Sequence, residues 1–199
     1  MNKIVRNALI AAAVAVAVGF VFGFLGAVLH APGVGSSGQL LAAVLGTMTF
    51  FLLHLRSTNR RVATADDAQR QRALSFGCPP GRALVYVART GFAGKALGVD
   101  IDVDGKTVAQ IKSPRFTCIE LAPGAHVLRA HVGGSEGSSL APGPATQPVT
   151  LADGSVSCWH IGIQRGMMKS QLTFESWPLE TARSKLGSMP MVLAEQPSA

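Results

Sequence analysis

The sequence predicts a membrane-anchored all-β protein: an N-terminal two-helix transmembrane hairpin followed by an antiparallel β-sandwich of seven or eight strands. Three observations carry this expectation. Asn7 to Leu55 contains no Asp, Glu, Lys or Arg, although the chain holds 18 basic and 11 acidic side chains. After Arg82 apolar and polar residues alternate with the period of two that half-buried strands require. Asp-Gly and Pro-Gly pairs and Gly/Ser clusters interrupt that alternation at short intervals, as the turns of a sandwich do.

The hairpin is expected over residues 1–56, with spans at about 7–29 and 37–55. Ala8 to Leu29 is an unbroken apolar run that would form a helix of about 33 Å, against a hydrocarbon core of about 30 Å. The second run, from Ser37 to His54, reaches about 27 Å and is less pure, with Thr47 and Thr49 inside it. Between them, His30 to Gly38 contains Pro32, Gly33 and Gly35, which stop one helix and let the chain reverse. Lys3 and Arg6 precede the first run, Arg56, Arg60 and Arg61 follow the second, and the loop between has no cation. The positive-inside rule then puts the N-terminus, and with it the large C-terminal region, in the cytoplasm. A cleaved signal peptide is the rival reading of the first run. It fits the charged start, but the run is long for a signal sequence and Ala27-Val-Leu-His-Ala31 is a poor cleavage site.

Ala11, Ala15, Gly19, Gly23 and Ala27 recur every four residues on the first helix, a small-residue stripe that lets another backbone approach closely. Ala42 and Gly46 answer it on the second. Two readings stay open: packing of the two helices within one chain, or dimerisation through the Gly19–Gly23 face.

Residues 57–81 read as a juxtamembrane helix and linker. Asp66 and Arg70 stand four apart as a supporting pair, and Gly77-Cys-Pro-Pro-Gly81 forbids helix beyond. The sandwich follows over 82–177. Strands are expected at Ala83–Ala88, Val99–Val103, Thr107–Ile111, Phe116–Leu121, His126–Val132, Val149–Leu151, Val156–Gln164 and Met168–Trp177. Asp104-Gly105 makes the hairpin turn between the second and third, and Asp153-Gly154 a second hairpin. Gly133 to Pro148 reads as a long loop. The expected core includes Leu84, Tyr86, Val99, Ile101, Val103, Ile119, Leu128, Trp159 and Ile161. Residues 178–199 read as a short helix from Pro178 to Leu186 and a flexible tail.

The order Leu84-Val-Tyr-Val, Gly91-Phe…Gly94, Val99-Asp-Ile-Asp-Val-Asp-Gly-Lys106 and Phe116…Glu120-Leu-Ala-Pro-Gly-Ala-His126 resembles a bacterial family of small β-sandwiches of unknown function, distantly similar to PEGA domains and often found on envelope lipoproteins. The resemblance covers residues 82–174. It rests on turn and core positions, so it implies a fold and carries over no catalytic residue. This chain departs from the lipoprotein members by having two apolar spans in place of a lipidated cysteine.

The net charge of +7 does not point to nucleic acid, because Lys3, Arg6, Arg56, Arg60, Arg61, Arg70 and Arg72 flank the spans and the other cations are scattered singly. Cys78, Cys118 and Cys158 are too few and too widely spaced for a disulfide framework. Asp100, Asp102 and Asp104 line one face of one strand, the polar outer face of a half-buried strand or a weak site for a hard cation. Cys118, His131, Cys158 and His160 point away from the core by parity and are the weak candidates for a zinc site, none at a ligand spacing. His126 is expected to serve the turn after Pro123-Gly124. No nucleophile elbow or phosphate-binding glycine pattern is present, so neither an enzyme nor a cofactor is expected. The partners expected are the lipid bilayer and a protein partner, or self-association through the helices. This describes a non-catalytic interaction or scaffold module on the cytoplasmic membrane surface. The alternative is an extracytoplasmic module that binds a peptide, glycan or metal, using a crevice near Asp100, Asp102, Cys118 and Cys158.

Overall fold

The apolar run at the N-terminus has no helix breaker before Val28, and in the computed structural model it forms one helix, α1 (Lys3–Val28). The structure describes residues 3–28, 32–58, 62–91, 95–133, 141–166 and 169–195. A second helix, α2 (Pro32–Thr58), begins at Pro32 rather than near residue 37. Proline stands well at the first helical position, where its missing N–H would have no partner and its φ is already helical. The turn expected over His30–Gly38 therefore belongs to α2 from Pro32 onward, while His30 and Ala31 lie outside the described residues.

These helices form one compact unit, 1–57, and the rest of the chain another, 58–199. Within the first unit, a side chain at Gly46 would meet Ala15 Cβ at 2.9 Å, and one at Gly19 would meet Ala42 Cβ at 3.8 Å. Gly38 lies against Phe22. The Ala11, Ala15 and Gly19 part of the stripe thus receives α2 of the same chain, while Gly23 has open space and Ala27 is exposed. Large apolar side chains cover the outside of both helices: Val16, Phe20 and Leu40 are 71%, 74% and 72% exposed. Val5–Phe24, with a mean hydropathy of 2.2, is long and apolar enough to cross a membrane, or to serve as a signal sequence; the apolar stretch of α2, Gly38–Leu53, is shorter.

Among the described residues the second unit is a sandwich of nine strands, one or two more than expected: β1 (Ala83–Arg89), β2 (Val99–Val103), β3 (Lys106–Ile111), β4 (Arg115–Leu121), β5 (Gly124–Val132), β6 (Ala145–Leu151), β7 (Val156–Arg165), β8 (Ser170–Ser176) and β9 (Met191–Leu193). They form a five-stranded sheet, β8-β7-β1-β4-β9, and a four-stranded sheet, β3-β2-β5-β6. The sandwich is not purely antiparallel, because β1 runs parallel to β7 and β4 parallel to β9. Asp153-Gly154 does not close a hairpin. The chain crosses there from β6 in one sheet to β7 in the other, with the Gly154 N–H donating to the Arg82 carbonyl at 2.8 Å. Asp104 and Gly105 do form a two-residue turn between β2 and β3, at φ 51° and 83°, the paired positive values of a type I′ hairpin.

Val85, Val87, Ile119, Ile101, Leu128 and Ile161 fill the space between the sheets. Each such side chain contributes about 1.5–3 kcal/mol on leaving water. Leu84 and Tyr86, expected in that core, are buried on the other face of β1. There a third layer covers them: α3 (Asp67–Leu74), α4 (Leu179–Leu186) and the Met189–Met191 segment. Helix α3 is therefore part of the sandwich unit rather than a juxtamembrane extension of α2. Asp66 does not pair with Arg70. It caps α3, accepting from Gln69 N at 2.7 Å, while the Arg70 guanidinium donates to the carbonyls of Met189 (3.0 Å) and Gly187.

The segment expected as a loose tail supplies β9. The linker Ala63–Ala65 runs along its outer side, with Leu193 N–H donating to Ala63 and Ala65 N–H to Met191, both at 3.0 Å. The long loop is shorter than expected, since β6 starts at Ala145; residues 134–140, Gly91-Phe…Gly94 from Phe92 onward, and Met168 lie outside the described residues.

Candidate functional site

Two polar clusters form on opposite outer faces of the sandwich. On the four-stranded sheet, Asp100 and Asp102 of β2 point away from the core yet are only 6% and 4% exposed. Asp100 accepts from Gln110 Nε2 at 2.7 Å, and Asp102 from Thr107 Oγ1 at 2.7 Å. His131 Nε2 lies 3.1 Å from Asp102 and Arg129 Nη1 3.8 Å from it. A register shift between Ile101 and Asp102 brings Asp102 opposite Thr107. Buried carboxylates without such partners would cost several kcal/mol each, so β3 and β5 offset that cost and fix the register of β2. Asp104 stands apart at the turn. Its carboxylate accepts from Val127 N–H at 2.8 Å and meets His126 Nδ1 at 2.7 Å, while His126 Nε2 reaches the Ala122 carbonyl at 2.9 Å. The His126 contact holds the Asp104 carboxyl below its usual range. Partial burial opposes charge on His126, but Asp104 and the Ala122 carbonyl together raise its pKa.

On the five-stranded sheet, Cys118, Cys158 and His160 share the face opposite the core, as parity predicts, but the two cysteines are buried in the layer beneath α3 and α4. Tyr86 is the register partner of both, so Cys118 and Cys158 lie two strand spacings apart, about 9.5 Å, too far for a disulfide. Burial pushes their thiols up to about 12 and about 11. All three cysteines are free. The four zinc candidates do not converge: His131 is on the other sheet, and among the described residues no group of three or more His, Cys, Asp or Glu is placed to hold a metal. Asp100 and Asp102 likewise share no crevice with Cys118 and Cys158, because the two pairs lie on different sheets.

His160 sits at the centre of a network that sequence spacing alone did not reveal. The Thr90 hydroxyl lies 2.9 Å from its Nε2 and Glu175 is 3.2 Å from its Nδ1, while Trp177 stacks on the ring with centroids 4.7 Å apart. Lys185 Nζ lies over the Trp177 ring, 4.4 Å from its centroid. Hydroxyl, imidazole and carboxylate have the connectivity of a nucleophile, base and orienting group. A recess beside them, of about 380 Å³, is lined by Gly162, Ile163, Gln164, Thr173 and Glu175, and Thr90 is not among its lining residues. The network ties the end of β1 and the end of β8 to the middle of β7 and borders a recess; it does not aim a hydroxyl into one.

The same corner carries the free strand edge. At β9 the edge is covered by Ala63–Ala65, at β3 Val108 accepts from Glu195 N–H at 2.7 Å, and β6 contains Pro148. Edge strand β8 has neither proline nor lysine. Its N-terminal part is capped by Gly143, whose N–H donates to Ser170 and whose carbonyl accepts from Leu172, both at 2.9 Å. From the Leu172 carbonyl to Ser176, the outward groups have no backbone partner among the described residues. No protein-family model and no curated protein matches the chain.

Proposed function

We propose that this chain is a non-catalytic, membrane-anchored interaction module, with α1 and α2 as a transmembrane hairpin that displays the sandwich on the cytoplasmic face of a bacterial inner membrane. The observation that carries it is the apolar coat on both helices, where Phe20, Phe24, Leu40 and Phe51 face outward. Water does not support that much exposed apolar surface, and a bilayer does. The small-residue contact between α1 and α2 supports counting both as spans. Lys3, Arg6, Arg56, Arg60 and Arg61 orient the hairpin, with both ends inside. Partners reach the sandwich through its open β8 edge, the part of such a fold left free to bind.

A fusion of alkaline phosphatase to Ala199, compared with a fusion of a fluorescent protein that folds only in the cytoplasm, tests this reading. Fluorescence without phosphatase activity supports it. Phosphatase activity overturns the sidedness and favours the extracytoplasmic module, for which the buried Asp100/Asp102 cluster is the remaining polar site. Complete release by alkaline carbonate overturns the membrane anchor itself.

A further inference from the structure

We propose that the free edge of β8 pairs with the same edge of a second copy of this chain, joining two five-stranded sheets across a two-fold axis through Phe174. The inference rests on the interaction-module reading and names its partner. The open part of β8 has two ends. Gly143 occupies the Ser170 carbonyl and the Leu172 N–H, and after Ser176 the chain leaves the sheet, where Trp177 N–H donates back to Cys158 at 2.9 Å and Pro178 begins α4. What remains, Leu172 to Ser176, is symmetric about Phe174. An antiparallel pairing centred there uses every outward group of the free edge except the Ser176 carbonyl, whose donor, Leu172 N–H, is held by Gly143. A register shifted either way drives one copy into the Gly143 cap or the other copy's Pro178.

The side chains agree with that register. Phe174 N–H and carbonyl face outward, because Thr173 and Glu175 make the hydrogen-bonded pairs with β7. Two copies centred on Phe174 would exchange those groups reciprocally, and Leu172 carbonyl would take the Ser176 N–H of the other copy. On the outer face Thr173 of one copy lies opposite Glu175 of the other, twice, a hydroxyl–carboxylate match that places no like charges opposite each other. On the four-stranded sheet, Pro148 in β6 denies the neighbouring edge the same ladder, so only one sheet extends. The contact is self-complementary, as a two-fold interface must be. It is also short, well under the about 1,200 Å² of a stable solution dimer, so it acts where membrane confinement raises the effective concentration.

The experiment uses the full chain in lipid vesicles, with Cys78→Ser so that only the buried thiols remain of the native set. In the proposed register Thr173 and Glu175 of the other copy form a non-hydrogen-bonded pair, with Cα atoms about 4.5 Å apart, within disulfide reach, whereas like positions of the two copies are about 8 Å apart. Co-reconstituted Thr173→Cys and Glu175→Cys chains should give a covalent dimer about tenfold faster than either variant alone, and adding Ser176→Pro to both should abolish the difference. Equal rates in mixture and singles overturn the proposal, as does a mixed-pair rate untouched by Ser176→Pro. Repeated in native membranes, recovery of Glu175→Cys linked to a different protein in place of its own copy also overturns it. Carbonate extraction of the same vesicles separates the two readings. A chain that stays in the membrane and does not cross-link loses the β8 pairing alone; a chain that is released loses the membrane anchor, whatever the cross-link shows.

Discussion

Replacing Asp104 by alanine removes more than a turn residue. Its carboxylate holds Val127 N–H at 2.8 Å and His126 Nδ1 at 2.7 Å, and its own N–H donates to the Val127 carbonyl at 3.0 Å. The Asp104 side chain is half exposed, so water recovers part of what is lost, and each of the two side-chain bonds is worth about 0.5–1 kcal/mol rather than the value of a buried charged pair. Alanine at φ 51° adds about 1 kcal/mol, because it lacks the local hydrogen bonds that let aspartate tolerate left-handed backbone. The sum is about 2–3 kcal/mol, or about 5–10 °C in Tm for a unit of this size. Both tryptophans, Trp159 and Trp177, lie in the sandwich unit, so tryptophan fluorescence of the full chain in detergent follows that unit alone.

The same pair sets a pH dependence. His126 has a raised pKa, so its contribution is fully present below about pH 6.5 and is lost as pH rises through the raised value. Asp104 has a lowered pKa, so its contribution is present above about pH 4 and is lost as pH falls through the lowered value. The Tm gap between wild type and His126→Gln should therefore be widest near pH 5–6 and shrink by pH 9. A Tm change under about 1 °C for Asp104→Ala, or a gap that widens toward pH 9, would refute this account of the turn.

Other consequences are equally direct. Gly46→Leu should cost the helix pair about 1–3 kcal/mol through collision with Ala15, while Gly23→Leu should cost little; SDS titration followed by far-UV dichroism separates them, and equal shifts would contradict the contact. Tyr86 is the chain's one tyrosine, it donates to the Ala73 carbonyl at 2.5 Å, and burial, with the neighbouring cysteines, pushes its pKa far up. Absorbance at 295 nm should then show no ionisation until the sandwich unfolds, and a reversible titration near pH 10 would show that the outer layer does not cover it. At pH 8 a thiol reagent should modify Cys78 at most, with Cys118 and Cys158 reacting only after denaturation; three rapid thiols would mean that α3 and α4 are not packed on the sheet.

Local chemistry was legible in the sequence and layering was not. The Asp104-Gly105 turn, the alternation in Val99–Val103 and the short helix after Pro178 each depend on neighbours in the chain, and each stands where the residues put it. Strand β1 shows the limit. With every residue from Ala83 to Arg89 buried, periodicity does not distinguish its two faces, so Leu84 and Tyr86 were indistinguishable from Val85 and Val87. The cysteines illustrate a related gap: parity gives their side of the sheet, but their burial depends on helices whose docking no spacing announces. Strand β9 has three residues, too few for alternation to show, and β6 begins among prolines, so only its end, Val149–Leu151, reads as a strand. The Thr90–His160–Glu175 network joins residues from three strands, and only the parallel pairing of β1 with β7 brings them together.

The strip Ala63–Ala65 emerges from the ribosome soon after the helices, whereas its partner Met191–Leu193 is made only after the other eight strands. Sheet closure at that border thus waits until Met191–Leu193 has been made, long after α1 and α2 have left the ribosome. Until then the nascent chain carries bare β4 and linker edges, a window in which holdase chaperones would decide the yield of folded protein.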